Sequence, residues 1–344
     1  MRHSAREIQA GESAMQAITY DQFGAAADVL RLSEVDSPAP QAGEVCVALS
    51  HSGVNPSDVK ARAGTRPGVT KPPFPQVIPH SDGAGEIVAV GAGVDASRVG
   101  QKVWIWNGQW QRGFGTAAQQ ITLPAHQAVP LPDGVSSEVG AQLGIPGLTA
   151  CHAVFGGGGV AGETVLIQGG AGTVGYLAVQ LAKWGGAKVI ATCSPRDNDL
   201  LRDAGADAVF NYADPDLAAA VLDANGGKPV DTIVETEFGL NITTDTEVIA
   251  PNGRIAAYGS AAEMSPVLPF YPLLFKAVTI DIILIYLLPA GPREQAINRL
   301  HHALEDGALR CPVDTVLPLS EAARAHELVE AGQRSGAVLL DCQG

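Results

Sequence analysis

The sequence predicts an α/β chain, with a β-rich domain followed by a doubly wound parallel sheet. Three observations carry this. Residues 164–285 alternate short apolar runs with helix-period segments, as parallel strands and crossover helices do. Residues 15–140 hold short strands punctuated by glycine and proline, which suits a small barrel or sandwich. A glycine turn stands between a strand and a helix after Ile167. At 344 residues the chain is long enough for two domains with a sizeable core.

The elements follow in order. Residues 1–14 are polar, mixed in charge and without an apolar run, so they read as an extension, with Met15 as an alternative start. Residues 44–50, 85–91 and 101–106 read as strands. Residues 136–143 read as a helix, because a serine at 136 or 137 can cap its free N–H groups. Six strands are expected at 164–168, 188–192, 208–210, 232–235, 254–258 and 279–286. An amphipathic helix (294–306), a second (320–331) and a strand (337–341) close the chain and should rejoin the first domain. The expected division is therefore 1–14, then 15–143 with 287–344, and 144–286 between them.

The apolar run 277–288 is too short to span a membrane as a helix, and Asp281 interrupts it. Its β-branched residues favour a strand. At a sheet edge that strand would pair with a second copy and make a homodimer; in the interior it would be ordinary core.

The glycine turn is the most informative stretch. Gly170, Gly172 and Gly175 have G-x-G-x-x-G spacing between the strand ending at Gln168 and a helical segment carrying Val179, Leu181, Ala182 and Trp184. Such a turn lets a pyrophosphate approach the helix N-terminus, where free N–H groups and the helix dipole favour anions. A glycine-rich turn with no ligand is the competing reading. An NAD site usually has an acid at the end of the next strand, to bind the ribose 2′-hydroxyl. Residues 190–196 contain none. Ser194 and Arg196 can instead hold a 2′-phosphate, which selects NADPH. Asp197 beside Arg196 weakens its pull, and a solvated charge is the alternative role for Arg196.

Composition removes several function classes. The net charge is −14 and no basic patch is visible, which argues against a nucleic-acid partner. With 46% hydrophobic and 17% charged residues, the chain is an ordinary globular one. Its five cysteines are widely spaced, without a C-x-x-C pair, which fits a reducing cytoplasm and no redox or zinc motif.

Four segments together carry a family resemblance: residues 53–58 (Gly-Val-Asn-Pro-Ser-Asp), 82–88 (Asp-Gly-Ala-Gly-Glu-Ile-Val), 144–150 (Gly-Ile-Pro-Gly-Leu-Thr-Ala) and Asn211-Tyr212. With the glycine turn, they resemble the medium-chain dehydrogenase/reductase superfamily, and within it the zinc-free quinone oxidoreductases of the zeta-crystallin type. The resemblance spans nearly everything after Met15. It implies a GroES-like catalytic domain, a Rossmann domain and a family preference for dimers. It implies that Gly170, Ala171, Gly172, Thr173 and Val174 face the pyrophosphate, and that Ser194, Arg196 and Tyr212 hold the adenosine phosphate end. It places Asn55 and Thr149 near the nicotinamide, with Gly259, Ser260, Ile283 and Ile285 lining that side.

The zinc-dependent branch needs a cysteine and a Gly-His-Glu histidine as ligands, plus a four-cysteine cluster. Here Asn55 lies in the region of the first cysteine. Ser81 takes the histidine slot, Asp82 the glutamate slot, and His80 is one position off. No tetrahedral thiolate and imidazole site assembles from these residues, so His80 reads as structural or cleft-lining. Without a Lewis acid the acceptor must already be electrophilic, such as a quinone or a conjugated carbonyl. Hydride transfer leaves an anion that hydrogen-bond donors stabilise. Asn55 is the first donor candidate and Lys60 the second, although a solvated lysine is an equal reading.

Enoyl-thioester reductases of the superfamily share the Asn-Pro-Ser-Asp segment but carry a tyrosine proton donor shortly after it. Arg66 stands near that slot, and no tyrosine occurs between Tyr20 and Tyr176. Enone or enoyl-thioester reduction is therefore the alternative activity, with Lys60 or Arg66 binding a carrier phosphate. A nucleotide-binding protein with little turnover is the third reading, since lens crystallins have arisen from this family. Trp104, Trp106 and Trp110 cluster within seven residues. Trp106 and Trp110 can stack on a planar acceptor or, equally, plug the core of the first domain, and Trp104 reads more readily as core.

Overall fold

A computed structural model describes residues 14–65 and 68–344. The described residues form two compact units, those up to Ile145 with 312–344, and residues 146–311. Among the described residues, no helix is long and apolar enough to cross a membrane.

The first unit is built on a seven-stranded sheet. Its central strand, Glu44–Val54, is long enough to pair antiparallel with three others. Its first half takes Gln120–Pro124 on one side, its whole length takes Asp82–Val90 on the other, and its last residues take Ala337–Asp341. Val45, Val47 and Leu49 alternate inward, and Ile87, Ile121 and Leu123 meet them in one core. Leu319, Ala325, Val338 and Leu340 from the C-terminal tail complete that core, so the tail folds back as expected.

The second unit is a six-stranded parallel sheet. In spatial order the strands are Ala208–Asn211, Lys188–Cys193, Thr164–Ile167, Val230–Glu235, Ile249–Ala257 and Thr279–Ile282. Numbered along the chain this is 3-2-1-4-5-6, the doubly wound order with its switch point at the glycine turn. Thr164–Ile167 is buried throughout, which explains its unbroken apolar character: helices cover both faces of a parallel sheet. Leu166, Ile190, Ile233 and Ile255 form the core of one face with Val221, Ile242 and Val248.

Four expectations need adjustment. The chain returns to the first unit at 312, not 287. The helix Ala290–Glu305 stays in the second unit because it packs on Leu148–Phe155, where Cys151 Sγ meets the Ala296 carbonyl and Arg299 donates to the Phe155 carbonyl. The helix expected over 136–143 is shorter, Ser137–Gly140, capped by Ser136; a π-turn carrying Pro146 follows at Leu143–Gly147. The last parallel strand stops at Ile282, at the sheet edge, because its neighbour ends at Ala257. The expected extension lies outside the described residues, save Ala14, which opens the first strand.

Trp104 fills the core of the first unit and is fully buried. Trp104→Ala is expected to cost about 3–5 kcal/mol, seen as a lower urea midpoint with an unchanged slope for that unit.

Candidate functional site

In the second unit the candidate residues gather at the carboxyl ends of the strands. Gly169 takes φ +66°, a left-handed conformation suited to glycine. Thr192, from the neighbouring strand, holds the turn twice: Gly169 N–H donates to its Oγ1 at 3.1 Å and Gly170 N–H to its carbonyl at 2.7 Å. Gly172 is the N-cap of the helix Thr173–Trp184, with no capping side chain and no acid in the first turn. A Cβ on Gly175 would stand 2.4 Å from the Gly169 carbonyl oxygen, so Gly175 lets the helix sit close to the turn. A Cβ on Gly172 would find its nearest neighbour only at 3.5 Å. Internal packing therefore does not require glycine there; an approaching ligand would. Ala171 lies in the turn, and Thr173 and Val174 open the helix, so their backbone N–H groups surround the same point. These residues fit a dinucleotide pyrophosphate.

Ser194 follows the strand Lys188–Cys193, and Arg196 is exposed in the next turn. Arg196 Nε lies 3.3 Å from Asp197 Oδ2. Tyr212 follows the adjacent strand, with its side chain exposed and its N–H on the Cys193 carbonyl. The three thus share one pair of strand ends, where Asn211 is in register with Cys193. Gly259 passes the Thr236 carbonyl so closely that a Cβ would stand 2.3 Å from it, and Ser260 Oγ accepts from Gly239 N–H. Ile283 and Ile285 are buried beyond the edge strand, and Thr149 is buried on the helix Leu148–Phe155.

Two acids beneath the turn escaped the sequence reading. Thr192 Oγ1 donates to Gln168 Oε1 at 2.7 Å, and Gln168 Nε2 donates to Asp245 Oδ1 at 3.1 Å. Glu235, also buried, accepts two bonds from Asn241. Burial pushes the Asp245 carboxyl well above the usual range, and the Glu235 charge adds to this. Burial raises Glu235 as well. Nothing in the periodicity marks this pair; an acid closing an apolar strand was the one visible sign.

In the first unit, Asn55 precedes the helix Pro56–Ala63. Its N–H donates to Asp58 Oδ2 and its Nδ2 donates to Asp82 Oδ2, both at 2.8 Å. Asp82 Oδ1 accepts from Ile145 N–H at 2.8 Å. Burial, with Asp58 nearby, pushes the Asp82 carboxyl well above the usual range, against the two N–H donors. Lys60 is exposed on the same helix, and Arg66 lies outside the described residues.

His80 is buried with φ +76°. Its Nδ1 contacts Ser52 Oγ and its Nε2 contacts His326 Nε2, each at 2.9 Å; Ser52 Oγ also contacts Thr116 Oγ1 at 2.9 Å. Thr116 Oγ1 donates to the Asp82 carbonyl at 2.6 Å. With one hydrogen per contact, only one direction satisfies the whole chain: His326 to His80 to Ser52 to Thr116 to Asp82. His326 Nδ1 is then a bare acceptor, and it has no hydrogen-bond partner among the described residues. Burial pushes both imidazoles down, His326 to about 3, so both are neutral. His80 is a link in this buried chain, which suits the structural one of the two readings that the sequence left open.

Trp106 is half-buried and packs against the His126 ring at 5.5 Å. Trp110 lines an apolar cavity of about 390 Å³.

Comparison with known proteins agrees with this architecture. Residues 41–133 match the family profile "Alcohol dehydrogenase GroES-like domain", and residues 173–301 match "Zinc-binding dehydrogenase". A rat protein named quinone oxidoreductase is 31% identical, covering 96% of this chain and 98% of its own length. The chain belongs to the medium-chain dehydrogenase/reductase superfamily, in its quinone oxidoreductase branch. The solved structure of a mycobacterial quinone oxidoreductase superposes with a TM-score of 0.82 at 29% identity, over 95% of this chain and 99% of the other. A mycobacterial protein complexed with NADPH gives 0.81 at 28%, with the same coverage. One profile takes its name from zinc; among the described residues of this quinone oxidoreductase homologue, no group of three or more His, Cys, Asp or Glu side chains is placed to hold a metal ion.

The histidine chain has a measurable consequence. His326 has an ordinary pKa of 6.5 when unfolded and about 3 when folded, so the unfolded chain binds the extra proton between those values. Stability from neutral His326 is complete above pH 6.5 and is lost as pH falls toward 3. His326→Gln should flatten the pH dependence of the urea midpoint in that window, by up to about 1.4 kcal/mol per pH unit.

Proposed function

We propose that this chain is an NADPH-dependent quinone oxidoreductase, a small-molecule reductase that transfers hydride without a metal. One observation carries the reading: an uncapped helix N-terminus with a glycine that packing does not demand, beside a strand end that offers Ser194 and Arg196 and no acid. The names of the relatives support the acceptor class, and the mycobacterial complex supports the cofactor.

In this reading the turn at Gly170, Ala171 and Gly172, with Thr173 and Val174, binds the pyrophosphate. Ser194, Arg196 and Tyr212 hold the adenosine phosphate end. Gly259, Ser260, Ile283 and Ile285 line the nicotinamide side. The bound cofactor supplies the hydride. Asn55 and Thr149 stand nearest the reacting atoms. One Asn55 amide hydrogen is committed to Asp82, which fixes the plane of the carboxamide. Its second hydrogen is the donor offered to the acceptor oxygen as charge develops there. Lys60 is a second donor, Trp106 and Trp110 stack on the acceptor ring, and Arg66 borders it.

We also place the protein in the cytoplasm, which suits the buried thiols of Cys46, Cys151, Cys193 and Cys342. We assign it a homodimer through the edge strand Thr279–Ile282. Phe270, Tyr271, Phe275 and Ile282 are exposed there, as a covered apolar surface would require.

The test is NADPH oxidation with EDTA present, against benzoquinone, phenanthrenequinone, an alkenal and crotonyl-CoA, with NADH as control. Quinone turnover with NADPH is expected. Preference for the alkenal or crotonyl-CoA would replace quinone reduction by ene reduction, and a zero rate with tight NADPH binding would overturn both. Arg196→Ala should weaken NADPH binding about tenfold or more, about 1.4 kcal/mol, and leave NADH binding unchanged; equal losses for both would remove Arg196 from the phosphate site.

A further inference from the structure

The cavity beside Trp110 has no part in holding a cofactor; Trp110, proposed above to stack on the acceptor ring, forms one of its walls. It lies wholly within the first unit, with a volume of about 390 Å³. It is a half-open pocket of a size that suits a ligand, since ligand pockets start near 300 Å³. Its walls include the aromatic side chains of Tyr20, Phe23, Phe74 and Trp110, with Ala61 and Val69 between them. None of the described residues lining it is charged; those with a polar side-chain group are Gln109, Gln111, Tyr20 and Trp110. Such walls suit an uncharged, apolar occupant and disfavour a phosphate or a carboxylate.

The place of the cavity narrows its occupant. Ala61 and Gly64 belong to the end of the helix that Asn55 begins. At 1.5 Å per residue, Gly64 lies about 13 Å along the axis from Asn55. A quinone ring held at Asn55 cannot also fill the cavity, but an attached hydrocarbon chain can reach it. Gly64 lets the Phe23 ring pack directly on this end of the helix: it takes φ +73°, and a Cβ there would stand 2.4 Å from that ring.

We propose that this cavity binds the hydrocarbon tail of the acceptor, so that the substrates are lipophilic quinones with an alkyl or prenyl side chain. The proposal rests on the reading of the chain as a quinone reductase and names the substrate class within it. Hydride chemistry is unchanged; the tail only adds binding remote from the reacting ring.

The test separates the two ideas. Calorimetry measures binding of a decyl-substituted dimethoxybenzene, which cannot accept hydride, against the same ring without the tail. The wild type should bind the tailed probe at least tenfold more tightly. Ala61→Leu fills the cavity and should remove that difference. It should also raise KM for a decyl-substituted quinone about tenfold, leaving KM for benzoquinone and the affinity for NADPH unchanged. Val69→Phe repeats the test from another part of the wall should Ala61→Leu fail to fold, as judged by circular dichroism. Equal binding of tailed and untailed probes, or an Ala61→Leu protein that keeps the tenfold difference, overturns the proposal. Tail binding that depends on Ala61, in a protein without quinone turnover, sustains the cavity assignment and overturns the quinone reading alone.

Discussion

Asp82 is a carboxyl placed out of reach of water, and the candidate site of the first unit is arranged around it. Its two oxygens accept from the Asn55 amide and the Ile145 backbone, and its carbonyl ends the chain that starts at His326. A buried carboxyl without partners would be costly, so these contacts constrain one another. Gly144 shows how closely they are fitted: a Cβ there would stand 2.1 Å from Asp82 Oδ1. The same carboxyl therefore fixes the orientation of Asn55 and the path of the backbone where the first unit ends. Because burial raises its pKa, its neutral form is favoured by folding. That contribution is complete at low pH and is lost as pH rises through the folded pKa, opposite in sign to the contribution of the histidines.

The second unit uses the same device beneath its glycine turn. Thr192, Gln168 and Asp245 form a hydrogen-bonded line from the turn into the interior, where a second acid, Glu235, waits beside the first. Two adjacent buried carboxyls cannot both ionise cheaply, and burial pushes both above their ordinary range. Asp245 Oδ2 has no hydrogen-bond partner among the described residues, so burial weighs fully on its charge. In both units a candidate binding element is stiffened from behind by buried acid and amide groups. Packing alone could not do this for a turn made of glycines.

Much of this was legible in the chain. A buried parallel strand needs apolar residues on both faces, and a turn that admits a pyrophosphate needs glycine, so residues 164–175 carried their meaning in local order. The strand ends at Ser194 and Arg196 followed from counting forward. What stayed hidden were contacts between distant residues: Asn55 with Asp82, Gln168 with Asp245, His80 with His326. A single sequence marks each residue but not its partner. The helix Ala290–Glu305 illustrates the limit, since its amphipathic pattern announced a buried face without saying which unit would bury it. The edge strand failed differently. Ile283 and Ile285 are buried while Ile282 and Leu284 are exposed, so the alternation continues past the point where the neighbour ends and pairing stops.

Arg196 brings the local and global electrostatics into conflict. The chain carries a net charge of −14, and Asp197 lies against the only guanidinium proposed to meet the 2′-phosphate. Range decides the outcome. Charges beyond about 10 Å are largely screened at ordinary ionic strength, so the distant acids matter little. The Arg196 side chain is 58% exposed, and an ion pair of that kind is worth about 0–1 kcal/mol. A hydrogen bond between a guanidinium and a phosphate is worth about 1.5–3 kcal/mol, and the planar fork can make two. The pair with Asp197 is thus weak enough to give way to a phosphate. Until then it keeps the guanidinium at the strand end, so the acidity of the chain is no obstacle to the phosphate contact proposed for Arg196.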